Sequence, residues 1–250
     1  MRRMFLLTGL CVLAISTAAA AVPVKTESVS FKSGEDTVTG YLALPDSAGT
    51  HPAVIVIHEW WGLNDWIKEQ AQGFAGQGYV ALAVDLYRGK VAYDPSLAHE
   101  LSQGLPQERA IRDLQAAFAY LASRPDVNKD KIGSTGWCMG GSLSLDLAIR
   151  EPKLAACVLN YGALTKDPED IRKIQAPVLG IFGAEDRSIP VSAVEAFEKA
   201  MKAANKAIDV KIYEGAGHAF ENPNNKLGYR KTAAQDAWAR MLAFFNRTLR

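Results

Sequence analysis

Six short, continuous apolar runs recur along the chain, and amphipathic segments lie between them. Runs of this length are typical of strands that are buried on both faces of a mainly parallel sheet. Several connecting segments repeat apolar residues every three or four positions, as helices do. Strands that alternate with helices predict an α/β fold, a doubly wound sheet flanked by helices. The runs are residues 53–57, 79–84, 131–135, 155–159, 178–182 and 208–213; the helical stripes include Ile111, Leu114, Phe118 and Leu121, then Val194, Phe197 and Met201, and finally Ala234, Trp238, Met241, Leu242 and Phe245.

Two segments upstream of the first run predict an antiparallel hairpin. They are residues 28–32 and 37–44, joined at Ser33-Gly34-Glu35-Asp36, and a glycine-containing connection of this length is typical of a hairpin turn. No fixed-period repeat or low-complexity linker divides residues 22–250. We therefore expect one domain over that range, which is long enough to bury a sizeable core.

The first 21 residues have the pattern of a secretory signal peptide. Arg2 and Arg3 form a short basic region, residues 5–15 are apolar, and Ala18-Ala19-Ala20 provides small residues for cleavage. The alternative is an uncleaved anchor, because the apolar run is nearly long enough to span a bilayer. The small-residue end favours cleavage. We therefore predict a protein exported to the periplasm or the medium, with no stable membrane association after the signal is removed.

Charge and motif content narrow the range of partners. The chain has 28 Lys and Arg against 27 Asp and Glu, a net charge of +1, so no basic field predicts a nucleic-acid partner. No spacing of His, Cys or carboxylates predicts a metal site, and there is neither a Walker lysine nor a G-x-G-x-x-G motif. We expect no metal, no cofactor, and a monomer.

A glycine-rich turn around a cysteine follows the third apolar run. Residues 131–135 lead into Gly136-Trp137-Cys138-Met139-Gly140-Gly141, and residues 142–149 predict a helix. Strand, G-x-nucleophile-x-G, helix is the nucleophile-elbow arrangement, with cysteine where serine is usual. The glycines let strand and helix close on each other, and the helix N-terminus favours a thiolate and an oxyanion. Taken alone, the motif also fits a glycine-rich turn with an incidental cysteine.

Two later residues favour the catalytic interpretation. Asp186 follows the run 178–182, and His218 follows Ile208–Tyr213. Nucleophile, acid, histidine is the chain order of α/β-hydrolases, with His218 as general base and Asp186 orienting it. Taken singly, Asp186 would be a helix N-cap and His218 a surface-loop histidine; their order and placement together predict a triad.

An acidic and aromatic segment follows the run 53–57. Glu59, Trp60 and Trp61 come directly after this buried strand. In an α/β-hydrolase the loop at this place supplies the second N–H of the oxyanion hole, here that of Trp60, while Met139 supplies the first. The alternative is that the tryptophans belong to the core and that Glu59 caps a turn.

These motifs resemble the dienelactone hydrolase family, α/β-hydrolases with a Cys-Asp-His triad, and the resemblance covers residues 26–249. It implies a hydrolase of lactones or carboxylic esters, of carboxymethylenebutenolidase type, acting on a small molecule through an acyl-enzyme on Cys138. It also implies that Glu59 meets the cysteine and helps to switch it between thiol and thiolate. The matching segments are residues 136–141, Ala216-Gly217-His218-Ala219-Phe220, residues 58–64 and Asp85-Leu86-Tyr87.

The resemblance is less specific about the substrate. Members that act on dienelactone hold its carboxylate with arginines, which makes Arg88 one candidate for substrate binding. Tyr87 and Trp61 are the other two candidates. A second arginine is expected shortly after the histidine motif, but Glu221-Asn222-Pro223 stands there. Half of a carboxylate clamp binds an anion poorly, and the tryptophans favour a bulkier or more apolar group.

Two alternative functions share these residues. A thioesterase or acyltransferase would use the same triad and differ in the group that accepts the acyl chain. A non-catalytic ligand-binding or redox-sensing thiol protein would use the same fold, because fold alone does not define function. A complete triad favours an enzyme over the second alternative.

Overall fold

The computed structural model describes residues 23–250, and the predicted signal peptide, residues 1–21, lies outside the described residues. Strands and helices alternate along most of this range, as the apolar runs predict. The strands are β1 Val24–Ser33, β2 Asp36–Pro45, β3 His51–Ile57, β4 Val80–Asp85, β5 Val127–Trp137, β6 Ala156–Asn160, β7 Val178–Gly183 and β8 Ile208–Tyr213; the helices are α1 Asp65–Gly76, α2 Pro95–Gln103, α3 Gln107–Ala122, α4 Met139–Arg150, α5 Pro168–Lys173, α6 Val191–Ala203 and α7 Lys231–Leu249.

The strands form one eight-stranded sheet in the order β1-β2-β4-β3-β5-β6-β7-β8. From β4 to β8 every neighbouring pair is parallel, whereas β1 pairs with β2, and β2 with β4, in antiparallel register. The predicted hairpin is confirmed and is longer than predicted, with Ser33 opposite Asp36. The α/β class, with a mainly parallel sheet and an N-terminal hairpin, is therefore confirmed.

Helices cover both faces of the sheet, which explains why the central strands are apolar at every position. Successive side chains of a strand point to opposite faces. In β3, Ile55 and Ile57 pack in the core on the side of α3, α4, α5 and α6, while Val54 and Val56 pack in the core on the side of α1 and α7. Because both sets of side chains are buried, polar and apolar residues do not alternate along the strand.

The three helices predicted from apolar stripes are confirmed as α3, α6 and α7, and the helix predicted after Cys138 is confirmed as α4. Three further helices, α1, α2 and α5, lie in segments for which the sequence predicted none. Within residues 23–250, no helix combines the length and apolar character needed to cross a bilayer.

Candidate active site

The turn between β5 and α4 holds Cys138 in a strained backbone conformation. Its φ of 55° and ψ of −117° are sparsely populated by residues with a side chain, and such strain costs about 1–3 kcal/mol. Glycine is required on both sides of it: a Cβ on Gly136 would lie 2.2 Å from the Gly140 oxygen, and one on Gly140 would lie 2.3 Å from the Ile57 oxygen. The strand–helix closure predicted from the glycines is what the structure shows.

Hydrogen bonds from neighbouring elements hold this turn in place. The Cys138 amide donates to the Asn160 carbonyl oxygen at 3.0 Å, and Asn160 Nδ2 donates to the Gly136 carbonyl oxygen at 2.9 Å. Ser142 Oγ donates to the Cys138 carbonyl oxygen at 3.3 Å and accepts from the Ala163 amide at 2.8 Å. Because partners on β6 and on the loop after it fix the turn, the strained conformation persists.

Asp186 and His218 meet at the carboxyl ends of β7 and β8. His218 Nδ1 donates to Asp186 Oδ2 at 2.7 Å, while Asp186 Oδ1 accepts from the amides of Ser188 and Ile189 at 2.8 and 3.1 Å. Burial by itself would raise the pKa of Asp186, but these hydrogen bonds and the charge of His218 lower it below its ordinary value. Asp186 is therefore an ionised orienting group for the imidazole.

His218 contacts both Asp186 and Cys138. Burial by itself would lower its pKa, but the hydrogen bonds with Asp186 and with the Cys138 side chain, together with their charges, raise the pKa of His218 to about 10. The ring of Tyr161 packs edge-on against the imidazole, with centroids 5.2 Å apart. The three residues predicted as a triad are thus brought together by the fold.

Glu59 lies almost completely buried beside this group. Its Oε2 accepts from Asn222 Nδ2 at 2.6 Å, whereas its Oε1 has no hydrogen-bond partner among residues 23–250. Burial raises the pKa of Glu59 to about 7, against the opposing effects of Asn222, the charge of His218 and the Tyr161 hydroxyl. Asn222 occupies the region where the resemblance led us to expect an arginine.

A second buried carboxyl group, Glu221, is part of the same cluster. Its Oε2 accepts from the indole N–H of Trp137 at 3.1 Å, and Trp137 immediately precedes the cysteine of the elbow. Burial raises the pKa of Glu221 to about 8, a hydrogen bond from Trp137 opposes this, and the charge of Glu59 adds to it. From the sequence, Glu221 is named only as one of the residues that stand where an arginine is expected, because nothing local showed that an acid after Phe220 would be buried.

Met139 and Trp60, the predicted oxyanion-hole residues, follow the neighbouring strands β5 and β3 at the same edge of the sheet. Met139 is the first residue of α4, so its N–H has no intrahelical acceptor. Trp60 follows β3 and lines the same pocket as Cys138. Next to it, buried His58 bonds through Nδ1 to the Glu59 carbonyl oxygen at 2.6 Å and accepts at Nε2 from the Leu86 amide at 3.3 Å, which fixes the start of this loop.

The pocket above Cys138 has a volume of about 780 Å³. Apolar atoms make up most of its wall, while seven of its fifteen lining residues carry carboxyl, amide, imidazole or ammonium groups. The residues that line it are Glu59, Trp60, Trp61, Asn64, Val91, Ala92, Tyr93, Cys138, His218, Ala219, Asn222, Asn224, Asn225, Lys226 and Leu227.

Two predicted substrate-binding residues are not among those that line this pocket. Arg88 Nη2 lies 2.7 Å from the buried carboxylate of Asp113 and 3.8 Å from Asp36, so its charge is already paired on the side of the sheet that carries α3. The Tyr87 hydroxyl lies 3.4 Å from Met139 Sδ, behind the first turn of α4. Of the three predicted residues, the structure brings only Trp61 to the pocket.

Metal-ligating side chains do not cluster in the part of the chain that the structure describes: no group of three or more His, Cys, Asp or Glu is placed to hold an ion there. The polar groups of the pocket are instead an imidazole, a carboxyl, amides and one ammonium. This set of groups suits nucleophilic and acid–base chemistry.

The parallel sheet, the elbow after β5, and the acid and histidine after β7 and β8 define the α/β-hydrolase fold. Comparison with known proteins identifies the family. Residues 38–249 match the model of the dienelactone hydrolase family. The chain belongs to the dienelactone hydrolase family and is a hydrolase.

Individual relatives agree with this assignment. A protein of Yersinia pestis named "Putative carboxymethylenebutenolidase" is 37% identical over 225 residues, which are 84% of each chain. The crystal structure of a "Putative Dienelactone Hydrolase" from Klebsiella pneumoniae has a TM-score of 0.82 at 30% identity and covers 90% of this chain and 99% of its own. A dienelactone hydrolase-like promiscuous phosphotriesterase from metagenomic libraries has a TM-score of 0.84 at 27% identity, covering 93% of this chain and 100% of its own.

Proposed function

We propose that this hydrolase cleaves lactones or carboxylic esters through a covalent acyl-enzyme on Cys138. One observation carries the proposal: Cys138, in a strained elbow, shares a pocket with His218, whose Nδ1 bonds to Asp186 at 2.7 Å. A nucleophile beside a base that a third group orients is the arrangement required for nucleophilic catalysis. The family supplies the substrate type, a small-molecule ester or lactone.

The proposed reaction has two stages. The Cys138 sulfur attacks the carbonyl carbon, and His218 holds the proton that comes from the Cys138 thiol. The N–H groups of Met139 and Trp60 stabilise the oxyanion. The bond from carbon to the leaving oxygen then breaks, and His218 donates its proton to that oxygen. In the second stage His218 takes a proton from water, the water oxygen attacks the thioester, and the acid and the free Cys138 are released.

Glu59 has a separate part in this proposal. It lines the pocket together with Cys138, and its Oε1 has no hydrogen-bond partner among the described residues. This oxygen is therefore available to accept from the thiol when no substrate is bound. The same interaction would keep the sulfur protonated until a substrate arrives, which protects it against oxidation.

The test removes the sulfur and keeps the fold. We expect the Cys138→Ala variant to lose at least about 10³-fold in kcat/KM toward an aryl ester, since the nucleophile carries the first stage. Cys157→Ser is the matched control, because Cys157 is the other free cysteine of the described chain and is buried beneath α4. Mass spectrometry of quenched wild-type protein should show the acyl group on the peptide that contains Cys138. A folded Cys138→Ala variant that keeps its turnover would refute the proposal.

Product analysis distinguishes hydrolysis from acyl transfer, which would use the same acyl-enzyme. With an added alcohol or thiol, a hydrolase releases the free acid, whereas an acyltransferase yields a new ester or thioester. A thioesterase also releases the free acid and would be recognised by faster turnover of a thioester than of the matching ester. We expect the free acid to dominate.

A further inference from the structure

Two large hydrophobic side chains are exposed on the surface of the described chain, and both border the catalytic pocket. Tyr93 is 89% exposed and Leu227 is 93% exposed, and both line the pocket that contains Cys138. They come from different loops, Tyr93 from the one between β4 and α2, and Leu227 from the one between His218 and α7. Single exposed apolar residues are common on protein surfaces, but two that both line one pocket add apolar surface where a ligand would bind.

The inner wall of the pocket continues this apolar surface toward the nucleophile. Trp60 and Trp61 pack edge-to-face with ring centroids 5.0 Å apart. The Ala92 amide donates to the Trp61 carbonyl oxygen at 2.9 Å, which ties the loop that carries Tyr93 to the one that carries the tryptophans. We call Trp60, Trp61, Tyr93 and Leu227 the apolar lip.

The charges of the pocket do not favour a small anion. Apart from His218, which is paired with Asp186, Lys226 is the one cationic side chain among the residues that line it, and it stands on the exposed rim. Arg88 is paired with Asp113 at 2.7 Å and does not reach the pocket. Near Cys138, a substrate carboxylate would meet the buried carboxyl group of Glu59, which repels it whenever Glu59 is ionised.

We propose that the substrate carries a large uncharged apolar group that passes along the apolar lip and leaves the pocket between Tyr93 and Leu227. The inference rests on the proposed hydrolysis at Cys138 and names the substrate class for it. Binding energy comes from burying this group against Trp60, Trp61, Tyr93 and Leu227, which exchange water for the substrate. A small anionic lactone would leave both exposed side chains in water.

The first experiment lengthens the substrate. Two series of uncharged aryl esters are compared, one extended on the acyl side from acetate to hexanoate and one extended on the alcohol side. We expect kcat/KM to rise about two- to fourfold for each added CH2 in at least one series, as expected for methylenes buried on an apolar surface. The anionic comparison is the aryl monoester of adipic acid, which has the same number of acyl carbons as hexanoate and ends in a carboxylate. We expect it to react more slowly than the hexanoate.

The second experiment truncates the apolar lip. Leu227→Ala and Tyr93→Ala alter exposed side chains, so they leave the core intact. For the series that shows the length dependence, we expect the ratio of the kcat/KM values for the longest and shortest ester to fall about tenfold in the double variant. Leu227→Met and Tyr93→Phe are the matched controls, because they keep the apolar surface and should keep the ratio.

Three results would overturn the inference. The first is turnover that depends on Cys138 but not on length in either series. The second is a preference for the adipate monoester or dienelactone that Lys226→Gln abolishes, which would make the pocket an anion site. The third is a change in oligomeric mass on truncating the apolar lip, with the ratio unchanged, which would make the lip an interface between copies of the chain. Absence of any Cys138-dependent ester turnover would instead refute the proposed function itself.

Discussion

Asp186 has a fixed partner for each carboxylate oxygen, and this determines the charge state of His218. One oxygen accepts from two backbone amides and the other from the imidazole. The His218 pKa of about 10 lies above the ordinary value of a histidine, so this histidine contributes stability that is fully present below about pH 6.5 and is lost as the pH rises through about 10. The pair is thus a stabilising contact as well as part of the proposed triad.

We expect Asp186→Asn to lower the pKa of His218 from about 10 toward its ordinary value, since the carboxylate is gone while burial and the contribution of Cys138 remain. Ester turnover should fall on the order of 10³–10⁴-fold, because the imidazole loses its orienting partner. NMR titration of the imidazole nitrogens measures the first effect. Cys138→Ala serves as the comparison, because it removes only the contribution of the sulfur. An Asp186→Asn variant whose His218 still titrates near 10 would contradict the assignment.

Glu59 and Glu221 make the folded chain less stable at high pH. Their pKa values are raised from 4.5 to about 7 and about 8, first of all by burial. The folded state therefore binds more protons than the unfolded state above about pH 4.5, and the free energy of unfolding falls as the pH rises through these values. Ionisation of the second carboxyl group is opposed by the charge of the first, so the two titrate as a coupled pair.

We expect Glu221→Gln to change the free energy of unfolding more favourably at about pH 8.5 than at about pH 5.5. The two changes should differ by an amount on the order of 1 kcal/mol or more. The glutamine oxygen still accepts from Trp137, so the change removes mainly the ionisation. Urea unfolding at the two pH values measures the difference. Glu195→Gln, an exposed acid on α6, is the control and should show no such dependence on pH. An equal effect of Glu221→Gln at both pH values would show that Glu221 is not held neutral.

At the scale of elements, a buried ion pair fastens the N-terminal hairpin and α3 to the loop after β4. Asp113 on α3 is fully buried; it accepts from Ser33 Oγ at 2.6 Å and lies 2.7 Å from Arg88 Nη2. Arg88 itself has a φ of 56°, a strained conformation that this pairing helps to maintain. The side chain that the sequence predicted for substrate binding thus joins three elements.

We expect Arg88→Ala to lower the free energy of unfolding by about 3 kcal/mol, because it leaves the Asp113 carboxylate buried and unpaired. The KM for an anionic ester should change little, since Arg88 does not line the pocket. Denaturant unfolding and steady-state kinetics on the adipate monoester check the two effects. The double variant Arg88→Ala with Asp113→Asn is the control and should recover part of the stability. A large rise in KM without loss of stability would contradict this and support a role for Arg88 in substrate binding.

Two of the three helices that the sequence did not predict, α2 and α5, were missed for the same physical reason. In α2 only Ala98 is buried, and in α5, six residues long, only Ile171 is buried, so neither presents an apolar stripe. Helix α1 does bury Ile67, Ala71 and Phe74, but it begins at Asp65, only four residues after Trp61, in a segment that the sequence led us to interpret as a loop. The strands were predicted within a few residues, because burial on both faces leaves no polar alternation to obscure them.

At the scale of the whole molecule, the topology of the sheet explains why the residues of the site lie close together. The carboxyl ends of parallel strands meet at one edge of a sheet, so residues after β3, β5, β7 and β8 must be neighbours. This is why Cys138, Asp186 and His218 could be named from the sequence. The contact between Trp137 and Glu221 spans 84 residues, and it depends on which side chains are buried at that edge. No local pattern encodes this.

The segment before residue 23 carries the remaining prediction, which rests on sequence alone. We expect a bacterium that expresses the full chain to export it and to remove residues 1–21. The intact mass of the periplasmic or secreted protein should therefore be that of a chain that begins at Val22. Leu7→Arg is the informative variant, because a charge in the apolar segment disfavours insertion into the bilayer by about 2.5–3.5 kcal/mol. This variant should stay uncleaved in the cytoplasm. Wild-type chain of full length in the membrane fraction would support the uncleaved anchor, and full-length wild-type chain in the cytoplasm would contradict export.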